Sequence, residues 1–169
     1  PDHLLTYGST TYLICGSTSS TSTKQNAGDL GVASPWGNFR SRGNLTAKFA
    51  DGEKDSRYMF FTEGQQQYIS DFTNQQEGYL FTKWTNLKDN GETASNTASY
   101  GAATDFPLFR LADVYLMYAE AVVRGGNGGS RETALGYINE LRKRAYGDES
   151  GNIKESQLTK EFIIDERAR

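Results

Sequence analysis

A single cysteine, Cys15, rules out an internal disulfide and any zinc site built from several thiolates. It sits in the apolar run Tyr12-Leu13-Ile14-Cys15 and reads most simply as a small buried hydrophobe. The lone histidine, His3, has no metal-binding partner nearby in sequence. Basic residues are in the minority, 18 against 21 acidic, for a net charge of −3, and that balance disfavours a phosphate-backbone ligand, which requires clustered Lys and Arg. The densest basic run, Arg142-Lys143-Arg144, is expected to be the solvated face of a helix. No stretch of about 18 apolar residues is present, and neither is a signal peptide or a cysteine placed for lipidation near the start. HExxH, GxSxG and Gly-rich phosphate-loop patterns do not occur. Both ends are expected to be cuts within a longer protein, because the chain opens on Pro-Asp-His and closes inside a helical pattern.

What is present is unevenly spread. The 169 residues suffice for one domain with a core. Mean hydropathy is −0.66, polar for a compact domain, and 18 glycines with many Ser, Thr, Asn and Gln point to extensive loops. Yet there are 10 Tyr, 9 Phe and 2 Trp, a content of aromatics that disordered chains lack.

Residues 1–104 show no sustained helical period. Short β-favouring runs at Thr10–Cys15, Tyr58–Thr62 and Tyr79–Trp84 alternate with polar loops, notably 16–28 and 86–104. A short helix is expected over Gly43–Phe49, bringing Leu45, Ala47 and Phe49 inward. Residues 105–169 read as helical. Asp105-Phe106-Pro107 supplies a start signal, and Leu108, Leu111, Tyr115, Tyr118 and Val122 recur on one apolar face. The glycines at 125–129 end that helix. Ser130 caps a second one with Ala134, Tyr137, Ile138, Leu141 and Ala145 inward, and Thr159 opens a third carrying Phe162 and Ile163. Small residues Ala119 and Ala134, flanked by Leu116, Ile138 and Leu141, predict a close helix–helix approach similar to a tetratricopeptide hairpin. One such hairpin cannot bury its own faces. The predicted class is mainly α: a tetratricopeptide-type hairpin packed against a loop-rich region with short strands, both parts of one domain.

The stretch Phe106-Pro-Leu-Phe-Arg-Leu-Ala-Asp-Val-Tyr-Leu-Met-Tyr-Ala-Glu-Ala121 resembles the most recognisable motif of the SusD/RagB family. Ala134–Ala145 and Leu158–Arg167 follow at family-like distances, and Trp36–Arg40, Asp55–Arg57 and Lys83–Asn86 resemble family positions more weakly. Asp113 stands where the family usually has Glu. The resemblance implies a SusD-like, non-catalytic protein of the bacterial outer membrane. Such proteins are lipid-anchored at the cell surface outside this segment. They capture starch-like or other glycan and deliver it to a SusC-like TonB-dependent transporter, and neither a cofactor nor a metal is expected.

Trp36, in the turn context Ser34-Pro35-Trp36-Gly37, is the leading candidate for ligand contact, since sugar C–H faces stack on flat rings. The alternative is a core or hairpin-anchoring Trp. Tyr12 lies 24 positions earlier, a spacing similar to that of two aromatic contacts in a starch-binding family member; it competes with Tyr7 for that role and with a buried strand position. Asn38 is placed to hydrogen-bond hydroxyls, whereas Arg40 matches a position better read as a structural ion pair. Trp84 reads as scaffold. Asp113 and Glu120 share a helix face, so a glycosidase-like carboxylate pair has to be weighed against ordinary charges bonded to Arg110 or Arg124. Asp165, Glu166 and Arg167 read as a helical ion-pair cluster. The loop Asp51–Asp55 offers oxygen ligands without a recognised calcium pattern. Besides glycan capture, two other functions remain in play: an interaction scaffold built on the helices, and a glycoside hydrolase.

Overall fold

The computed structural model describes residues 22–33, 39–94, 102–104 and 107–169. They divide into two compact units, one of the described residues up to 46 with those of 59–104 and the other of 47–58 with 107–169.

The first unit is built from turns around a very small sheet. Strands β1 (Arg40–Ser41), β2 (Phe60–Phe61) and β3 (Tyr79–Phe81) lie in the order β1-β3-β2, both pairings antiparallel. The expected strands at 58–62 and 79–84 are therefore present in shortened form, while β1 has no counterpart in the sequence reading. The expected run at 10–15 lies outside the described residues. Leu80, in the central strand, is fully buried, and Phe60 packs on its register partner Phe81 with ring centroids 5.5 Å apart. A second small core joins Leu30, Val32 and Ala102 with the half-buried Trp84, in keeping with a scaffold role for that indole. Asn86 fastens this core. Its amide donates to Gly31 O at 3.0 Å and accepts from Ala103 N–H at 2.7 Å, and its backbone N–H reaches Leu30 O at 2.7 Å. Gly31 has φ 67°, and any Cβ there would collide with the Asn86 carbonyl, so the turn requires glycine.

Helix α1 covers only Gly43–Thr46, not the longer span expected. Leu45 is half-buried and Ala47 is exposed; Phe49 is buried, but in the helical unit, where it meets Tyr58 edge-on at 5.6 Å.

In the second unit α2 (Leu111–Val123), α3 (Arg131–Tyr146) and α4 (Lys160–Ala168) surround one core. Helix α2 begins at Leu111 with Arg110 at its cap, later than the Pro107 signal suggested, so Leu108 precedes the helix and is 81 % exposed. Leu111 is exposed as well, and the buried face is instead Leu116 and Ala119, flanked by Tyr115, Tyr118 and Val122. Helix α3 starts as expected: Ser130 Oγ accepts from Thr133 N–H at 3.1 Å, and Gly147, at φ 78°, closes its C-terminus. Thr159 caps α4 through Phe162 N–H at 3.1 Å.

The α2–α3 hairpin is the tetratricopeptide-like feature anticipated. Ala119, Ala134 and Ile138 are fully buried and share a core with Leu141, Ile153, Leu158 and Ile163. Tyr137 of α3 stacks on Tyr115 at 4.2 Å and meets Tyr118 edge-on at 5.2 Å, while the Tyr118 hydroxyl accepts from Ser130 N–H. Among the described residues no helix is long and apolar enough to cross a membrane.

Candidate functional site

The three ligand-contact candidates, Tyr12, Trp36 and Asn38, lie outside the described residues, as do Tyr7, Cys15 and His3. On either side of 34–38 the chain is well anchored: Leu30–Val32 belong to the Trp84 core, and Arg40 opens β1.

Arg40 is structural, but it bonds to backbone carbonyls rather than to a carboxylate. Its guanidinium donates to three backbone carbonyls, Asn74, Glu77 at 2.8 Å and Phe72 at 2.7 Å, and so gathers the loop 65–78 onto β1. From within the loop Glu77 does the complementary work. Its buried carboxylate accepts from the N–H of Asp71 at 2.8 Å, the N–H and hydroxyl of Ser70, and the Asn74 amide at 3.1 Å. The Asp71 and Ser70 N–H groups, with the Ser70 hydroxyl, hold the Glu77 carboxyl down at about 2. Gln65 Nε2 adds bonds to Gln75 O and Gly78 O, both 2.9 Å, and Asp71 caps Thr73. A guanidinium and a carboxylate, both pointing inward, thus fix a loop that has almost no apolar core. Outward it presents Tyr68, 60 % exposed, and Phe72, 72 % exposed. The sequence reading passed over this loop; its signal was two aromatics set among neutral amides in Gln65-Gln-Gln-Tyr-Ile-Ser-Asp-Phe-Thr-Asn-Gln-Gln76.

The acidic residues of the helical unit are engaged elsewhere. Asp113 pairs with Arg167 rather than Arg110, and Glu120 pairs with Arg124 at 2.8 Å and lies 3.7 Å from Arg167. Asp165 pairs with Lys48. Glu166, fully buried, receives Arg57 at 2.7 Å, Arg142 at 2.8 Å and Arg169 at 2.7 Å. Asp165, Glu166 and Arg167 therefore bond in three directions instead of forming one cluster. Arg142 is buried too: it donates to Gly151 O and lies over the Tyr146 ring at 5.1 Å and the Phe162 ring at 5.5 Å, which corrects the solvated reading of its basic run. Lys143 and Arg144 do face water.

Asp55 chelates Arg57 through Nε at 2.8 Å and NH2 at 2.7 Å. Burial pushes the Asp55 carboxyl up, but the Arg57 bonds outweigh it and hold it below the usual carboxylate range. Asp51 accepts from the Tyr146 hydroxyl at 2.6 Å. Asp51 and Asp55 are thus both engaged by protein partners, and among the described residues no group of three or more His, Cys, Asp or Glu is placed to hold a metal ion.

The SusD family pattern matches residues 17–169. Over 101 residues, 60 % of this chain, the sequence is 44 % identical to the starch-binding protein SusD of Bacteroides thetaiotaomicron. That stretch is 16 % of the relative's length, so the chain spans only a small part of a protein of that kind. With the match running through both units, the chain belongs to the SusD family.

Proposed function

We propose that the chain is part of a non-catalytic, cell-surface protein that captures glycan and passes it to a SusC-like TonB-dependent transporter in the outer membrane. The observation that carries this reading is the 44 % identity to a starch-binding protein, within a family match over residues 17–169. On this reading residues 1–104 hold the glycan-facing part, with Trp36, Tyr12 and Asn38 as contacts, and residues 105–169 the helical part of the same domain. On the same reading the full-length protein is lipid-anchored. The binding role also accords with the acidic side chains. Asp113, Glu120, Asp165 and Glu166 each have a basic partner, an arrangement suited to holding helices together rather than to the free acid and base a glycosidase needs.

The full-length protein tests the proposal. It should bind soluble starch or another neutral glycan on an array, release no reducing sugar, and retain a TonB-dependent transporter in a pull-down. Glycan turnover that vanishes in an Asp113→Asn or Glu120→Gln variant would replace binding with hydrolysis.

A second reading, an interaction scaffold built on the helices, has one specific observation in its favour. Leu108, Phe109, Leu111, Val114 and Met117 are all exposed, with Phe109 at 93 %. Transporter capture by a protein that binds no glycan would favour it.

A further inference from the structure

We propose that the loop 65–78 carries a second, accessory contact surface for neutral glycan, in which Tyr68 and Phe72 stack on sugar rings. The inference rests on the binding function proposed above and adds to it a surface separate from Trp36 in sequence.

Three observations converge on it. The first is exposure. Tyr68 and Phe72 stay largely open to water although the loop that bears them is densely hydrogen-bonded. A loop needing these rings for its own stability would have folded them inward.

The second is rigidity. Arg40, Glu77 and Gln65 fix the loop from beneath, and Arg40 holds the carbonyl of Phe72 itself. Tyr68 lies so closely over the Gly43 backbone that a Cβ at Gly43 would clash with its ring. One ring is therefore seated on the chain, and the other rides on a tethered backbone. Pre-set rings bind with little ordering cost, as stacking platforms require.

The third is charge. Between Gly64 and Gly78 only Asp71 and Glu77 are charged, and both carboxylates are occupied within the loop, Asp71 by Thr73 and Glu77 by Ser70, Asp71 N–H and Asn74. The guanidinium of Arg40, which holds the loop, is turned onto carbonyls. What reaches solvent around the rings is Gln66, Ser70, Thr73 and Gln76, together with the Asp71 edge. A neutral, hydroxyl-rich chain finds two apolar faces among amides and hydroxyls, the chemistry that sugars match.

The test compares the full-length protein with Phe72→Ala and with the double variant Tyr68→Ala/Phe72→Ala. The probe is soluble starch, or whichever neutral polysaccharide an array selects, and binding is read by calorimetry and affinity electrophoresis. Because Phe72 is the more exposed ring, its single substitution guards against misfolding, with the thermal midpoint as control. Each lost ring is expected to weaken binding by about three- to tenfold, and Phe72→Ala to do so without moving that midpoint. Unchanged binding by both variants, with the parent protein binding normally, overturns the inference and leaves the proposed function standing. Loss of transporter capture with intact glycan binding also overturns it, since the rings would then serve a protein interface. A parent protein that binds no neutral glycan overturns the proposed function and this inference together.

Discussion

The two compact units solve the same problem by different means. The helical unit buries a continuous set of aliphatic side chains, Leu116, Ala119, Ala134, Ile138, Leu141, Ile153, Leu158 and Ile163. The turn-rich unit buries few, and relies on polar side chains bonded to backbone: Arg40 on three carbonyls, Asn86 on Gly31 and Ala103, Glu77 on two amides. Apolar burial is non-directional and tolerates small shifts, whereas a chelated carbonyl fixes a particular backbone path. That difference suits the helical unit to a scaffold and the turn-rich unit to shaped loops. Even so, the helical unit has a polar centre of its own, where Glu166 gathers three arginines contributed by residues 57, 142 and 169.

That polar centre is the place where the comparison is most easily broken. Replacing Glu166 with Ala leaves Arg57, Arg142 and Arg169 close together without their shared carboxylate, and breaking a buried pair of this kind costs about 3–5 kcal/mol. Urea unfolding of the full-length protein should show the loss as a lowered midpoint. A neutral result would mean that the aliphatic core alone holds the helices.

An intermediate effect is expected from overpacking. Ala119 is fully buried in the helix–helix core, so Ala119→Leu should cost about 1–3 kcal/mol. The complementary change in the other unit is Arg40→Ala. It strips the charged donor from three carbonyls, and a loss of about 1.5–3 kcal/mol is expected. Hydrogen exchange sharpens the contrast: Arg40→Ala should speed exchange in 70–78 while α2 and α3 keep their protection. Uniformly faster exchange would show that the loop's order is not a local property.

Acid gives a subtler discriminator. The folded Glu77 carboxyl titrates at about 2 against an ordinary 4.5. Because the folded value is the lower one, the stabilisation is complete above 4.5 and is lost as pH falls through about 2. The stability difference between the parent protein and Glu77→Gln should thus be flat from neutral pH down to 4.5 and shrink below it. A difference that persists undiminished at the acid end would mean that shape rather than charge holds the loop.

How much of this was legible beforehand follows the same division. Periodicity and caps located α2, α3 and α4, the Ser130 and Thr159 caps, and the Ala119–Ala134 core, because helices are specified by short-range pattern. Pattern failed where partners are distant in sequence. Arg142 follows Ile138 by four residues and so shares its buried face, but only the fold brings it to Glu166. Likewise, nothing around Asp55 and Arg57 shows that 47–58 joins the helical unit, where Ser56 N–H reaches Ala145 O at 2.9 Å. The apolar stripe was extended too far toward the N-terminus because Leu108 and Leu111 fit the period, although both are exposed. In the candidate site, aromatic content pointed to Trp36 and Tyr12, which lie outside the described residues, and missed Tyr68 and Phe72, whose exposure only the fold shows.

The smallest effect is expected where the helical unit carries charge on its surface. Arg167 pairs with Asp113, and its guanidinium lies 3.7 Å from Glu120; all three side chains are at least a quarter exposed. Solvent screens such pairs, and ordering three long side chains opposes the gain, so Arg167→Ala should cost less than about 1 kcal/mol. It should cost less still in high salt, because the Debye length shrinks to about 3 Å at 1 M. The neighbouring Glu166 makes the comparison a sharp one, since adjacent residues on one short helix should differ several-fold in their effect. A carboxylate buried among arginines is costly to remove, whereas a guanidinium at the rim can be replaced by water. If Arg167→Ala destabilised the protein as much as Glu166→Ala, the ion pairs of α2 and α4 would have to act as one cooperative network with the buried centre. The division into a dry core and a screened surface would then be wrong for this unit. Salt titration of the two variants separates these outcomes, because only an exposed pair loses its contribution as ionic strength rises.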